Sequence, residues 1–208
     1  MRLYQHPLSS NCRRVMLAAV HMGTPLELAE VDLMHPDDRR RLKELNPNGM
    51  LPVLDDGGFL LWESCAIMQY LADRTLGQTL YPDDIRVRAD INRWMMWACQ
   101  HFAPAISTVV WEKLWKSMAG AGARDPLEVA RGLAGIAQFA AVLDQHLAGR
   151  QWVVGDTLTL ADFALAAPLM YTGPAALPLG DYVHLQAWYA RVRELDAWKQ
   201  TEPVWPAL

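Results

Sequence analysis

The stretch Met50-Leu51-Pro52-Val53-Leu54, followed by Asp56-Gly57-Gly58 and then Glu63-Ser64, restricts what this chain can become more than any other. A short apolar strand opening with proline, a tight glycine turn, a second apolar run and a helical pattern read as strand, hairpin, strand, helix. Proline at the first strand position removes a ladder donor, which leaves the Leu51 amide and carbonyl for something other than the sheet. A cis Leu51-Pro52 bond, a minority state that tertiary structure has to hold, turns that backbone toward a ligand. Ser64 falls where a helix N-cap belongs, and helix N-termini attract carboxylates through free amides and the dipole. Glu63 beside it suits an ammonium. Free backbone, anion site and acidic side chain together fit the amino-acid end of a small peptide. The plainer alternative is a hairpin with a capped helix, since both devices are common.

Upstream, residues 2–5 alternate in polarity as a strand, and from Asn11 a helical stripe runs through Cys12, Val15, Met16, Ala19 and Val20 until Gly23. Alternation returns over Leu26 to Val31, so the first thirty residues read as a strand-helix-strand unit with parallel strands. A short helix around Asp37 to Leu45 and the turn cluster Asn46-Pro47-Asn48-Gly49 deliver the chain to Leu51. Gly, Pro and polar residues over 78–84 mark a boundary between residues 1–77 and 85–208. After it no strand pattern recurs. A long helix over 84–116, bent at Pro104, is expected. Asp125-Pro126-Leu127-Glu128 then reads as a capping box whose helix ends at Gly149. Thr159 with Asp162, bracketed by Leu158 and Phe163, reads as a capping box with a hydrophobic staple. The predicted fold is α/β followed by all-α.

Charge and composition narrow the function. With 52% hydrophobic and 20% charged residues, 208 residues suit a compact soluble protein with a sizeable core. No 18-residue apolar run is read as a membrane span, and the N-terminus lacks a signal-peptide core, so a cytoplasmic location is expected. A net charge of -4 gives no electrostatic reason to bind nucleic acid, and Arg39-Arg40-Arg41 after Asp37-Asp38 reads as a solvated helix face. Cys12, Cys65 and Cys99 share no short spacing, so neither a disulfide framework nor a metal site is expected.

The run NPNGMLPVLDDGGFLLWESCAIMQYLAD resembles the glutathione-binding segment of the soluble glutathione transferases, and the order of elements agrees over nearly the whole chain. The resemblance implies a thioredoxin-like N-terminal domain (βαβαββα) and an all-helical C-terminal domain, with glutathione as co-substrate, a hydrophobic electrophile and a homodimer. It implies that Leu51, Pro52, Glu63 and Ser64 hold the tripeptide. Met50 stands where many relatives place a lysine or glutamine, so Arg39 or His35 is the candidate for the glycine carboxylate.

Chemistry is expected at Leu8-Ser9-Ser10-Asn11-Cys12, a loop entering a helix, where hydroxyls at the positive end of the dipole can stabilise a thiolate. Counting from Tyr4, Ser9 matches the catalytic serine of the theta, phi and zeta classes, which makes the chain similar to bacterial, serine-using members. Ser10 and Cys12 are the runners-up, and Cys12 also heads the core stripe of its helix. The electrophile is expected against Leu8 and the inner face of the long helix, with Trp94, Trp97, His101 and Trp111 as candidates; the same stripe also suits core or dimer interface. Rival readings are a glutathione-dependent disulfide or peroxide reductase, a zeta-like isomerase, and a non-catalytic binding module of the same fold.

Overall fold

The computed structural model describes residues 1–205 and divides into two compact units. The first opens with β1 (Arg2–Gln5), α1 (Ser10–Met22), β2 (Glu27–Glu30), α2 (Pro36–Leu45), β3 (Val53–Asp56), β4 (Phe59–Trp62) and α3 (Ser64–Arg74), the expected βαβαββα order of a thioredoxin-like domain. The sheet runs β2-β1-β3-β4, with β1 parallel to β2 and antiparallel to β3, and β3 antiparallel to β4. Successive residues of a strand point to opposite faces. Tyr4 and Val53, cross-strand partners, pack with Leu42 and Leu45 of α2. Leu3 and Leu54, the next pair along, are fully buried on the other face. There α1 packs against α3, and α3 meets β4. The hairpin turn needs glycine at both central positions: Gly57 and Gly58 have φ of 62° and 96°, a conformation that costs L side chains energy.

The structure differs from the expected boundary. The first unit runs to Tyr81 and, among the described residues, includes 196–205, because α10 (Asp196–Gln200) docks on α1. The Arg13 guanidinium lies 3.8 Å above the Trp198 ring and donates to the Trp198 carbonyl, a cation-π contact that explains how an arginine is buried there.

The second unit, from Pro82 to Leu195, is helical. α4 (Ile85–Trp97), α5 (Ala103–Val110) and α6 (Lys116–Met118) follow one another through two π turns, Ala98–Phe102 and Trp111–Trp115, the first of them just ahead of Pro104. Proline has no N–H to give, and the wider turn ahead of it makes room for its ring. α7 (Pro126–Leu147) starts as expected, with the Asp125 carboxylate accepting from the Leu127 and Glu128 amides. The other half of the expected capping box is replaced: the Asp125 N–H donates to Glu112 Oε2 at 2.6 Å, while Glu128 pairs with Arg131. That N–H and the Lys116 ammonium hold the Glu112 carboxyl below its usual range.

α7 also corrects the hydropathy reading, since it is long and apolar enough to cross a membrane by composition. Its Gly132, Ile136, Ala140, Leu143 and Leu147 are instead buried within the unit, facing α5 and α9 (Val183–Glu194). Gly132 permits that approach: a Cβ there would lie 2.7 Å from Val109 Cγ2.

α8 (Leu160–Ala166) sits at the centre of the unit, with every residue buried. Asp162 accepts four hydrogen bonds: from the Thr159 amide and hydroxyl on Oδ2, at 2.9 and 3.1 Å, and from Val153 N–H and Trp188 Nε1 on Oδ1, at 3.0 and 2.8 Å. The expected capping box is therefore part of a larger network that fastens a loop and α9 to the start of α8.

Candidate active site

Register alone brings the predicted residues of the first unit to one end of the sheet. β1 ends at Gln5, β3 begins at Val53 opposite Tyr4, and β4 ends at Trp62 opposite Val53. The loop holding Leu8 and Ser9, the Leu51-Pro52 step and the Glu63-Ser64 pair therefore leave the sheet on the same side. β2 ends there too, since the Val31 amide bonds the Gln5 carbonyl, so His35 and Arg39 at the start of α2 follow from that end.

The Leu51-Pro52 bond is cis, and Leu51 lies outside the ladder, its amide and carbonyl without partners among the described residues. A residue that sequence reasoning missed holds this loop. Asn46 is buried, donates from its side chain to the Met50 carbonyl at 2.7 Å, and accepts from the Asn48 amide at 3.0 Å. The Asn-Pro-Asn-Gly cluster carried the signal, because asparagine side chains substitute for backbone partners in turns. Met50 itself is 68% exposed.

The expected cap at Ser64 is displaced by one residue. α3 begins at Ser64, and the capping position belongs to Glu63, whose backbone is left-handed with φ of 72° and whose side chain makes no cap bond. The Glu63 side chain is exposed, and the Ser64 hydroxyl has no partner among the described residues. A non-glycine residue at positive φ costs about 1–3 kcal/mol, and such outliers cluster where a ligand is gripped. No acidic residue stands in the first turn of α3 to compete with a carboxylate ligand.

Ser9 is the N-cap of α1, its Oγ accepting from the Cys12 amide at 3.3 Å. A hydroxyl that accepts one bond still has its proton to donate. The first turn of α1 has no acidic residue, and the buried Arg13 and Arg14 follow it, so the field at Ser9 favours an anion. Ser10, the first residue of α1, is buried. Cys12 is 1% exposed, and burial pushes its thiol up, against the opposing pull of the Ser9 side chain, the His6 backbone and Arg14. That environment suits packing rather than a thiolate nucleophile. The Arg14 guanidinium lies 3.6 Å from Cys65 Sγ, which ties the second turn of α1 to the start of α3.

Of the aromatic candidates, Trp94, Trp97 and His101 belong together. Ring centroids are 5.3 Å apart for Trp94 and Trp97, and 6.1 Å for Trp97 and His101. α7 closes over them: Phe139 meets both Trp97 and His101, and His146 lies 4.3 Å from Trp94. Trp94 is buried, Trp97 half-buried and His101 exposed. Trp111 stands apart from the cluster, 42% exposed. Leu8 is half-buried in the first unit. Arg39 is exposed on α2. Among the described residues no group of three or more His, Cys, Asp or Glu could hold a metal ion.

Comparison with known proteins identifies the family and the fold. Residues 8–74 match the glutathione S-transferase N-terminal domain, and residues 102–196 match the C-terminal domain. Glutathione S-transferase 3 of Zea mays is 32% identical, over 97% of this chain and 92% of its own. Glutathione S-transferase theta-1 of Rattus norvegicus is 29% identical, over 92% and 82%. Among solved structures, glutathione S-transferase III in its apo form has a TM-score of 0.85 at 31% identity, covering 100% and 99% of the two chains. The theta class glutathione S-transferase of the citrus canker pathogen Xanthomonas axonopodis pv. citri, with glutathione bound, has 0.86 at 30%, covering 96% and 95%. On these matches and this fold, the chain belongs to the glutathione S-transferase family.

Proposed function

We propose that the first unit binds glutathione along the Leu51 backbone and the Glu63-Ser64 pair, ionises its thiol beside Ser9, and delivers the thiolate to a hydrophobic electrophile. The single observation that carries this reading is the shared end of the sheet. One side of it offers free backbone and an unpartnered hydroxyl for the peptide, the other a hydroxyl at an electropositive helix start. Ser64 and the α3 amides take the γ-glutamyl carboxylate, and Glu63 takes the ammonium. Arg39 or His35 takes the glycine carboxylate, with Met50 alongside. Ser9 acts as a hydrogen-bond donor to sulfur, not as a base; Ser10 and Cys12 pack the helix. Within the second unit, the cluster of Trp94, Trp97 and His101, and Trp111 apart from it, are the candidates for the electrophile's apolar contacts; within the first unit Leu8 is the candidate. The working form is a homodimer.

A cysteinyl thiol has a pKa of about 8.5, so a few per cent of free glutathione is thiolate near neutral pH. A hydrogen bond to a charged group contributes roughly 1.5–3 kcal/mol, which lowers that pKa by about one to two units. Ser9→Ala should therefore reduce kcat/KM at neutral pH by about eight- to twenty-fivefold, since the thiolate fraction saturates, recover as pH approaches that of the free thiol, and leave glutathione affinity nearly unchanged. Ser64→Ala should instead weaken glutathione binding by about 1–3 kcal/mol in calorimetry. Titration with millimolar glutathione giving no heat, together with wild-type turnover in Ser9→Ala, would sink the proposal.

A further inference from the structure

The loop that carries Ser9 is held by a side chain to which neither the proposed chemistry nor the tripeptide contacts assign a role. The His6 imidazole accepts the Leu8 amide on Nδ1 at 3.2 Å, and the His6 carbonyl accepts the Ser9 amide at 3.0 Å. Together they fold Pro7-Leu8-Ser9 back over His6, and the turn ends at the residue that caps α1. Because the Leu8 N–H can only donate, Nδ1 must be the unprotonated nitrogen of the ring. His6 thus does for this loop what an asparagine does in an Asx turn, bonding a backbone amide two residues on. Below the turn lies the Cys12 thiol, within reach of both the Ser9 side chain and the His6 backbone. The cap hydroxyl is consequently fixed from two directions: by the Cys12 amide that it accepts, and by the anchored backbone that leads into it.

We infer that His6 is a positioning residue for the Ser9 hydroxyl, fixing through the Leu8 amide the direction in which Ser9 donates its proton to the glutathione sulfur. The inference rests on the reading of Ser9 as thiolate donor. A donor that must meet a sulfur within hydrogen-bond distance loses most of its effect when its loop samples other orientations. Removing one neutral anchoring bond corresponds to a factor of about two to ten in the population of the aligned loop.

The test uses the whole protein with glutathione alone, reading the pKa of the bound thiol from its ultraviolet thiolate absorption, and then kcat and KM with an aromatic chloride. His6→Phe keeps a ring of similar size and loses the acceptor. His6→Asn puts Oδ1 where Nδ1 stood. His6→Phe should lower the bound thiolate fraction and kcat about two- to tenfold with KM for glutathione little changed, and His6→Asn should restore both. Should His6→Asn be as impaired as His6→Phe, or His6→Phe keep the wild-type thiol pKa, the inference is overturned. Ser9→Ala run alongside separates the two claims. If it leaves the bound thiol pKa unchanged, the serine reading fails and takes this inference with it. If it raises that pKa while His6→Phe does not, only the positioning role fails.

Discussion

Replacing Asp162 by alanine should be among the most damaging single changes in the helical unit. The carboxylate is fully buried and accepts from Val153 N–H, Trp188 Nε1 and the Thr159 amide, groups that are themselves buried. Alanine leaves those three donors without a partner, each at about 1–3 kcal/mol, so even with water entering the vacated space the loss is on the order of 4 kcal/mol. Asparagine has the same shape but only one acceptor oxygen. Placed where Oδ1 was, that oxygen keeps Val153 and Trp188, and the amide nitrogen then faces the Thr159 N–H while the Thr159 hydroxyl rotates to accept. One orphaned donor remains, so Asp162→Asn should cost about 2 kcal/mol. For a chain of this size each kcal/mol is worth roughly 2–4 °C, which gives melting temperatures lower by about 8–16 °C for alanine and 4–8 °C for asparagine. Thermal melts followed by circular dichroism, with urea unfolding as a second probe, read both. Burial pushes the Asp162 carboxyl up further than its hydrogen bonds pull it down, so the folded chain holds this proton more tightly than the unfolded one. That contribution is full below the ordinary carboxylate pKa of about 4 and is lost as pH rises through the folded value. Asparagine does not titrate, so the wild-type advantage over Asp162→Asn should shrink as pH rises. An alanine variant within about 1 kcal/mol of wild type, or asparagine as costly as alanine, would refute the argument.

Other expectations follow from packing and assembly. Gly132→Ala gains about 1 kcal/mol of helix propensity but drives a methyl against Val109 and the Ala105 carbonyl, so a net loss of roughly 1–2 kcal/mol should appear in the same melts. A homodimer of a 23.4 kDa chain should scatter light with twice that mass at micromolar concentration, and a clean monomer would remove the dimer from the proposal.

Much of the first unit was legible because its signals are local. Proline before a strand, paired glycines in a turn and the switch from alternating to helical spacing each report on a few neighbouring residues, and β1 to α3 came out in the expected order. The Thr159 and Asp162 box was legible for the same reason, whereas its bonds to Val153 and Trp188 were not, being made to residues distant in sequence or lacking any pattern of their own. Glu112 displaced Glu128 at the Asp125 amide because the long helix brings a carboxylate there from thirteen residues away. Ser64 looked like the cap because serine usually is one; the positive φ of Glu63 arises from how β4 turns into α3. His6 carried no signal, since a histidine two residues before a loop amide is unremarkable until the distance is measured.

The two π turns change what the long helix can be. An ordinary helix advances 100° per residue, so an added residue in one turn rotates everything downstream by about that angle relative to everything upstream. α4 meets α8, while α5, beyond the Ala98–Phe102 turn, meets α7. The turn acts as a phase slip: one continuous rod lays its first half chiefly along α8, with the rings of Trp94 and Trp97 reaching α7, and its second half along α7. Deleting a single residue from Ala98–Phe102 would restore uniform winding without breaking the helix. It would also swing Ile106, Val109 and Val110 out of the core together, so the helix would survive the deletion and the bundle around it would not.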